Sequence, residues 1–375
     1  MTTASAPVLV RWLPVLERHL PWVPLGDWPT PLDELRVDGR PLWIKREGDS
    51  SSRYGGNKVR TLEAWFGHAR ARGAGRIWAV GAYGSNHAVA TVLHARAIGL
   101  DAGAIVFPQP HSRWAAENAG ALIASGCPLV RLRNVIEVPF AAAAIARRER
   151  DSVVMPPGGA TPIGTFGALS AAFELAEQIA AGRAPAPRTI VIPIGSTCTT
   201  AGLVAGFALA SAVGAWRWPI PVVHGVRVTP WPVTSRPVIA QLVAMTLARI
   251  AKLGGPDVPL PSPRFELDLH ELVASPLLGL DLGARKSLMV DRREIGAGYG
   301  KSTSRGLAAI ATATPQWPRL DGVYSAKAMA AALRLHRNGV GPLLFWATKS
   351  TTVLPPPTAD ALRAAPDKLA RWLKA

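Results

Sequence analysis

Cysteine is nearly absent from this chain of 375 residues, which holds only Cys127 and Cys198. Two thiols are too few for a disulfide framework and match no zinc-ligand spacing, so a reducing compartment is expected and no metal is. Long apolar runs are missing as well. No stretch reaches the length of a membrane span, and Met1 to Arg11 lacks the basic segment and sustained apolar core of a secretory leader, so the cytoplasm is the expected location. Acidic residues are scarce, 25 against 42 lysines and arginines, for a formal net charge of +17. That balance favours anionic partners, nucleic acid among them. The cations are dispersed, however, with short clusters such as Arg147-Arg148-Glu149-Arg150 and no interleaved basic and aromatic motif. The charge is therefore read as an Arg-rich composition suited to small anionic ligands. Nucleic-acid binding stays as an alternative that rests on charge alone.

What is present is an alternation. The length exceeds what one hydrophobic core usually serves, so two domains are expected, and 49% hydrophobic residues are ample to fill them. Residues 1 to 40 are broken by prolines and read as an irregular lead-in. Strands are expected at 41–45, 76–80, 102–107, 189–194, 222–228, 265–269 and 343–346. Helices are expected at 59–72, 87–98, 114–125, 141–150, 164–181, 304–313 and 326–336, with a further one ending near 250. Strand followed by helix, repeated, argues for an α/β fold with open, mostly parallel sheets.

Three loops of this alternation hold residues suited to chemistry. Tyr54-Gly55-Gly56-Asn57-Lys58-Val59-Arg60 sets one lysine behind two glycines and an amide. The glycines allow a close backbone approach to a ligand, and a desolvated lysine can act as a carbonyl-seeking nucleophile. A turn followed by a solvated lysine reads the same way, and the stretch alone leaves both open. Ser85 and Asn86 follow a strand and open a helix, where free amides favour a carboxylate or phosphate, although either residue also serves as an ordinary cap. The third loop, Gly195-Ser196-Thr197-Cys198-Thr199-Thr200, joins an apolar strand to an alanine-rich segment. It suits a phosphate cradle of amides and hydroxyls, or a plain capped turn, and it is neither a Walker nor a dinucleotide fingerprint. Thr348 ends the last strand, the edge of an open sheet where ligands sit.

In order along the chain, Pro29-Thr30-Pro31-Leu32, Lys45-Arg46-Glu47, Gly55-Gly56-Asn57-Lys58, Ser85-Asn86-His87, Pro157-Gly158-Gly159, the Gly195 loop, Gly298-Tyr299-Gly300 and Val323-Tyr324-Ser325 resemble one family. It is the D-cysteine desulfhydrase and 1-aminocyclopropane-1-carboxylate deaminase family of pyridoxal phosphate enzymes, with the two-domain tryptophan-synthase-β-like fold. The resemblance implies a larger domain of residues 1–59 plus 176–375 and a smaller one of 60–175, with pyridoxal 5'-phosphate between them, in a homodimer. It implies that Lys58 carries the cofactor and shuttles the Cα proton, that Asn86 supports the cofactor's hydroxyl, and that Gly195 to Thr200 and Thr348 complete its site. Ser85, with Asn86 and His87, would hold the carboxylate of a small amino-acid substrate, and Ser325 would face the substrate. Tyr299 and Tyr324 would take part in proton transfer.

Ser325 and Thr348 resemble the desulfhydrase branch, where small hydroxyl residues replace the deaminase's Glu and apolar residue. The expected reaction is therefore α,β-elimination from D-cysteine or a related substrate to pyruvate, ammonia and sulfide. Deamination of the cyclopropane amino acid and a non-catalytic cofactor-binding relative are the alternatives. The chain departs from the family at Gly84, at Thr197 and Cys198, which stand in place of glycines, at Ala326, and at Ala347-Thr348-Lys349-Ser350, where Lys349 either adds a cation near the cofactor or points to solvent, the default for a lysine.

Overall fold

Thr189–Ile194 shows how the pattern becomes architecture: Ile190, Ile192 and Ile194 enter one apolar cluster, and Val191 enters the cluster on the opposite face. A strand covered on both faces reads as an unbroken apolar run, and such strands belong to parallel sheets sandwiched by helices. The computed structural model describes residues 6–258 and 287–375, so the strand expected at 265–269 lies outside the described residues.

The strands are β1 (Leu32–Val37), β2 (Arg40–Arg46), β3 (Arg76–Ala82), β4 (Asp101–Phe107), β5 (Leu129–Arg131), β6 (Ser152–Met155), β7 (Thr189–Ile194), β8 (Val222–Arg227), β9 (Leu288–Asp291) and β10 (Leu343–Ala347). The helices are α1 (Val8–Trp12), α2 (Lys58–Ala71), α3 (Asn86–Ala97), α4 (Arg113–Ala124), α5 (Val138–Arg148), α6 (Pro162–Ala180), α7 (Cys198–Ala212), α8 (Arg236–Lys252), α9 (Ser304–Ala311), α10 (Ser325–Arg337), α11 (Ala359–Ala364) and α12 (Asp367–Leu373). They flank a six-stranded sheet of order β1-β2-β10-β7-β8-β9 and a four-stranded sheet of order β5-β4-β3-β6. All pairings are parallel except β1 with β2.

The lead-in is irregular only in part. Pro7 precedes the short helix α1, and Asp38 (φ 50°) with Gly39 (φ 74°) forms a two-residue turn that folds β1 back on β2. Both expected domain boundaries fall inside helices, 59/60 within α2 and 175/176 within α6. Phe173 and Leu175 of α6 pack into the core of the larger sheet. Leu354 and Leu369, near the end of the chain, pack instead with Ile77 and Ala104 of the smaller one.

Where α2 begins is fixed by buried charge. Arg60 lies two residues past Lys58 and donates to Glu47 at 2.7 and 2.9 Å and to Glu174 at 2.9 and 3.0 Å. Lys45 of β2 adds a bond to the same Glu174, and Thr30 joins through its hydroxyl. Burial alone would raise the Glu174 carboxyl, but the charges of Arg60 and Lys45 overcome it and hold it down to about 2. The Lys45-Arg46-Glu47 motif thus clamps α2, β2 and α6 together, which positions Lys58.

Candidate active site

Residues at or beyond the C-terminal ends of β3, β7 and β10 line one cavity of about 860 Å³. This is the sheet edge at which open α/β folds bind ligands. Lys58, the first residue of α2, reaches into it, and its amine donates to the Gly158 carbonyl at 3.2 Å and the Ser196 hydroxyl at 3.3 Å. Burial pushes the amine below its usual 10.5, with the Cys198 thiol acting in the opposite direction. A Cβ at Gly158, which has φ +66°, would stand 2.1 Å from Ser196 Oγ and 3.2 Å from Lys58 Nζ. The close approach that lets the amine sit here thus depends on a missing side chain.

Gly55 and Gly56 serve another purpose than the expected approach to a ligand. A Cβ at Gly55 would meet Gly48 O at 2.0 Å, and one at Gly56 (φ +105°) would meet Thr348 O at 2.7 Å. They let the chain pass against its own backbone, Gly55 at the turn after β2 and Gly56 at the end of β10. Asn57 is likewise committed inward, its amide donating to Thr199 Oγ1 at 2.7 Å.

The Gly195 loop turns at Thr197, which adopts φ 70°, and Cys198 then opens the 15-residue helix α7. The first turn of a helix leaves its amides without intrahelical acceptors, so Cys198, Thr199 and Thr200 offer donors together with the hydroxyl of Ser196, while the Thr197 hydroxyl donates to the Ser196 carbonyl. The Cys198 thiol donates to Gly159 O at 3.5 Å and lies 3.9 Å from Thr61 Oγ1, fully buried, and burial raises its pKa.

Across the cavity, Ser85 caps α3, its hydroxyl accepting from the Ala88 amide at 3.2 Å. Asn86 Oδ1 accepts from Tyr54 OH at 2.8 Å, Asn118 Nδ2 at 2.9 Å and Lys349 Nζ at 3.2 Å. His87 lines the same wall, and neither of its ring nitrogens has a partner among the described residues. Burial, and then the charge of Lys58, hold it well below 6.5, so its imidazole is neutral.

Tyr299 and Tyr324 meet at 2.6 Å between hydroxyls. Burial raises both phenols, Tyr299 to about 12. Thr348 lines the cavity too. Ser325 does not join them: it is fully buried, its hydroxyl donating to Asp321 Oδ2 at 2.9 Å and accepting from the Asp321 amide at 2.7 Å. Lys349 departs from the default of the two readings, since it is 3% exposed and faces the cavity rather than solvent. Asn118, in the middle of α4, gave no signal in the sequence; only the packing of α4 on α3 brings it to Asn86. The outer wall of Trp231, Val233, Leu242 and Met245 follows β8, where the proline-broken segment 229–237 was the one available hint.

The residues fit a phosphorylated pyridine aldehyde. An amine for the aldehyde, a helix N-terminus with hydroxyls for the phosphate and two unpartnered buried nitrogens of His87 converge on one space.

The chain resembles known proteins over most of its length. It is 27% identical over 339 residues to D-cysteine desulfhydrase of Klebsiella pneumoniae, an alignment that covers 84% of this chain and 90% of that protein. It is 38% identical over 200 residues to nocardicin C-9' epimerase of Nocardia uniformis, 51% of this chain and 60% of that one, so the match spans about three fifths of that relative's length. Among solved structures, an ACC deaminase homologue superposes with a TM-score of 0.70 at 26% identity, covering 93% of this chain and 96% of the other. The model of the family described as "Pyridoxal-phosphate dependent enzyme" matches residues 23–342. The fold, the lysine-bearing cavity and that match over most of the sequence place the chain in the pyridoxal-phosphate dependent enzyme family.

Proposed function

We propose that this protein removes the Cα proton of a small amino acid and eliminates its β-substituent, with D-cysteine or a related substrate yielding pyruvate, ammonia and sulfide. The observation behind the reading is that a desolvated amine, Lys58, and a pair of protonated phenols, Tyr299 and Tyr324, share one cavity. Lys58 and the loop from Gly195 to Thr200 would hold pyridoxal phosphate, with Asn86 and Thr348 completing the site. When bound, the cofactor supplies an electron sink for the charge left at Cα.

Proton transfer falls to the protein. An amine whose pKa is lowered by burial is more often neutral at physiological pH, so Lys58 can take up a proton. The phenols are raised above their usual value and stay protonated. Their hydroxyl contact uses one proton between them and leaves the other free to be donated, which suits protonation of a departing thiolate. Ser85, Asn86 and His87 open α3, whose amides attract the substrate carboxylate. Asp321 also lines the cavity, but Val323 N, Tyr324 N and the Ser325 hydroxyl already occupy its oxygens. We further propose a homodimer, by analogy with the family, to be checked by light scattering.

A second reading, inversion at Cα without elimination, is favoured by the outer wall. Trp231 and Met245 are 45% and 49% exposed at the mouth, with Val233 and Leu242 beside them, which gives room for a side chain larger than that of cysteine. One relative, at 38% identity, is named as an epimerase. A keto-acid assay with D-cysteine and with the cyclopropane amino acid, run beside Cα deuterium exchange of larger amino acids in heavy water, separates the readings. Pyruvate and sulfide from D-cysteine support the first. Exchange with inversion and no keto acid supports the second. Bound cofactor with neither outcome would leave a non-catalytic relative.

A further inference from the structure

Lys349 follows β10 by two residues and is almost wholly buried, yet its three acceptors are all formally uncharged: Asn86 Oδ1 at 3.2 Å, Tyr54 OH at 3.4 Å and Asn118 Oδ1 at 3.4 Å. The acidic groups of the neighbourhood are engaged elsewhere. Glu117 is held by Arg319 at 2.8 and 2.9 Å, and Asp321 by Ser325 and two backbone amides. A buried cation with only neutral partners is costly, and an anion brought beside it relieves that cost.

The same contacts settle which way Asn86 faces. Its oxygen collects donors from Lys349, Asn118 and Tyr54, so a flipped amide would set its N–H2 against an ammonium and another N–H2. The Asn86 N–H2 group is therefore the end left for the cavity, at the N-terminus of α3, with Lys349 Nζ held on the amide's oxygen.

We propose that Lys349 is a positioning residue for the ligand oxygen that meets Asn86: it locks the amide with its donors outward and supplies the positive charge that keeps that oxygen ionised. On the pyridoxal phosphate reading, upon which this inference rests, the oxygen is the phenolic oxygen of the cofactor.

The test uses K349M and K349Q, purified with and without added pyridoxal phosphate, with three readouts that need no turnover. In the cofactor-loaded variants, the absorbance band of the neutral phenol form should grow at neutral pH at the expense of the longer-wavelength band of the ionised form. Cofactor affinity should fall about tenfold, as for the loss of a charge-assisted contact. Without cofactor, K349M should unfold at the same temperature as wild type or higher, because an uncompensated buried charge has been removed. If the cofactor-free variants are less stable, or fail to fold, while band ratio and affinity are unchanged in whichever variant can be loaded, Lys349 is a structural residue and the inference is wrong. A wild-type protein that shows no cofactor band would sink the underlying reading instead, a result distinct from any difference between variants.

Discussion

Lys58 faces a carbonyl and a serine hydroxyl, whereas Lys349 faces two amide oxygens and a phenol. Neither amine is paired with a carboxylate among the described residues; the three bonds of Lys349 all go to neighbouring side chains, whereas Lys58 lies in the cavity itself. In the proposed reaction the tyrosine pair is the proton donor, and Y324F should lower kcat for elimination by about 10²-fold or more, in the range of general-acid loss. Steady-state kinetics on D-cysteine would check this, with the bound-cofactor spectrum expected to stay as in wild type. Lys58, Ser85, Asn86 and both tyrosines, which line one cavity, could be singled out as candidates in the sequence because each sits in a short motif whose order can be matched. Asn118 could not be, and Lys349 could be only as one of two readings. A lysine defaults to solvent and an asparagine in a helix to its exposed face, and only the seating of α4 and the end of β10 against α3 reverses both defaults. Ser325 failed in the other direction, since its local role with Asp321 captures the hydroxyl expected to face the substrate.

At the scale of elements, the network of Lys45, Glu47, Arg60 and Glu174 joins β2, α2 and α6. Replacing Glu174 by Gln leaves Lys45 and Arg60 short of a counter-charge in a buried setting, and E174Q should cost about 3–5 kcal/mol in chemical denaturation. The pH dependence has a defined sign. The folded carboxyl sits at about 2, below its ordinary 4.5, so the stabilisation is complete above pH 4.5 and is lost as pH falls from there toward about 2. Unfolding midpoints measured across that window should drop for wild type and drop less steeply for E174Q, in which Asp291 still loses its partners as it is protonated. Strands buried on both faces, such as β7, announce themselves as continuous apolar runs. The edge strands β5 and β6 are three and four residues long and only partly buried, too short for a periodic signal, so the sequence showed neither. The short helix α1 and the hairpin of β1 with β2 were hidden because prolines forbid a long helix but not a five-residue one or a turn.

Across the whole molecule, the length and the strand-helix alternation made two α/β units legible, but not where the chain crosses between them. Local sequence does not tell that α6 belongs to the core of the larger sheet, or that Leu354 and Leu369 return to the smaller one. The net charge of +17 reflects dispersed cations, so duplex DNA should show at most weak binding that disappears as salt is raised through physiological strength, readable by fluorescence anisotropy. Everything proposed for the cavity depends on Lys58 taking the cofactor. The direct measurement is the visible absorbance of the protein titrated with pyridoxal phosphate, wild type beside K58A, followed by borohydride reduction and mass mapping. Wild type should gain a band distinct from free cofactor and a reduced adduct on the peptide containing Lys58, both absent in K58A. No band in wild type, or an adduct on another lysine, would contradict it.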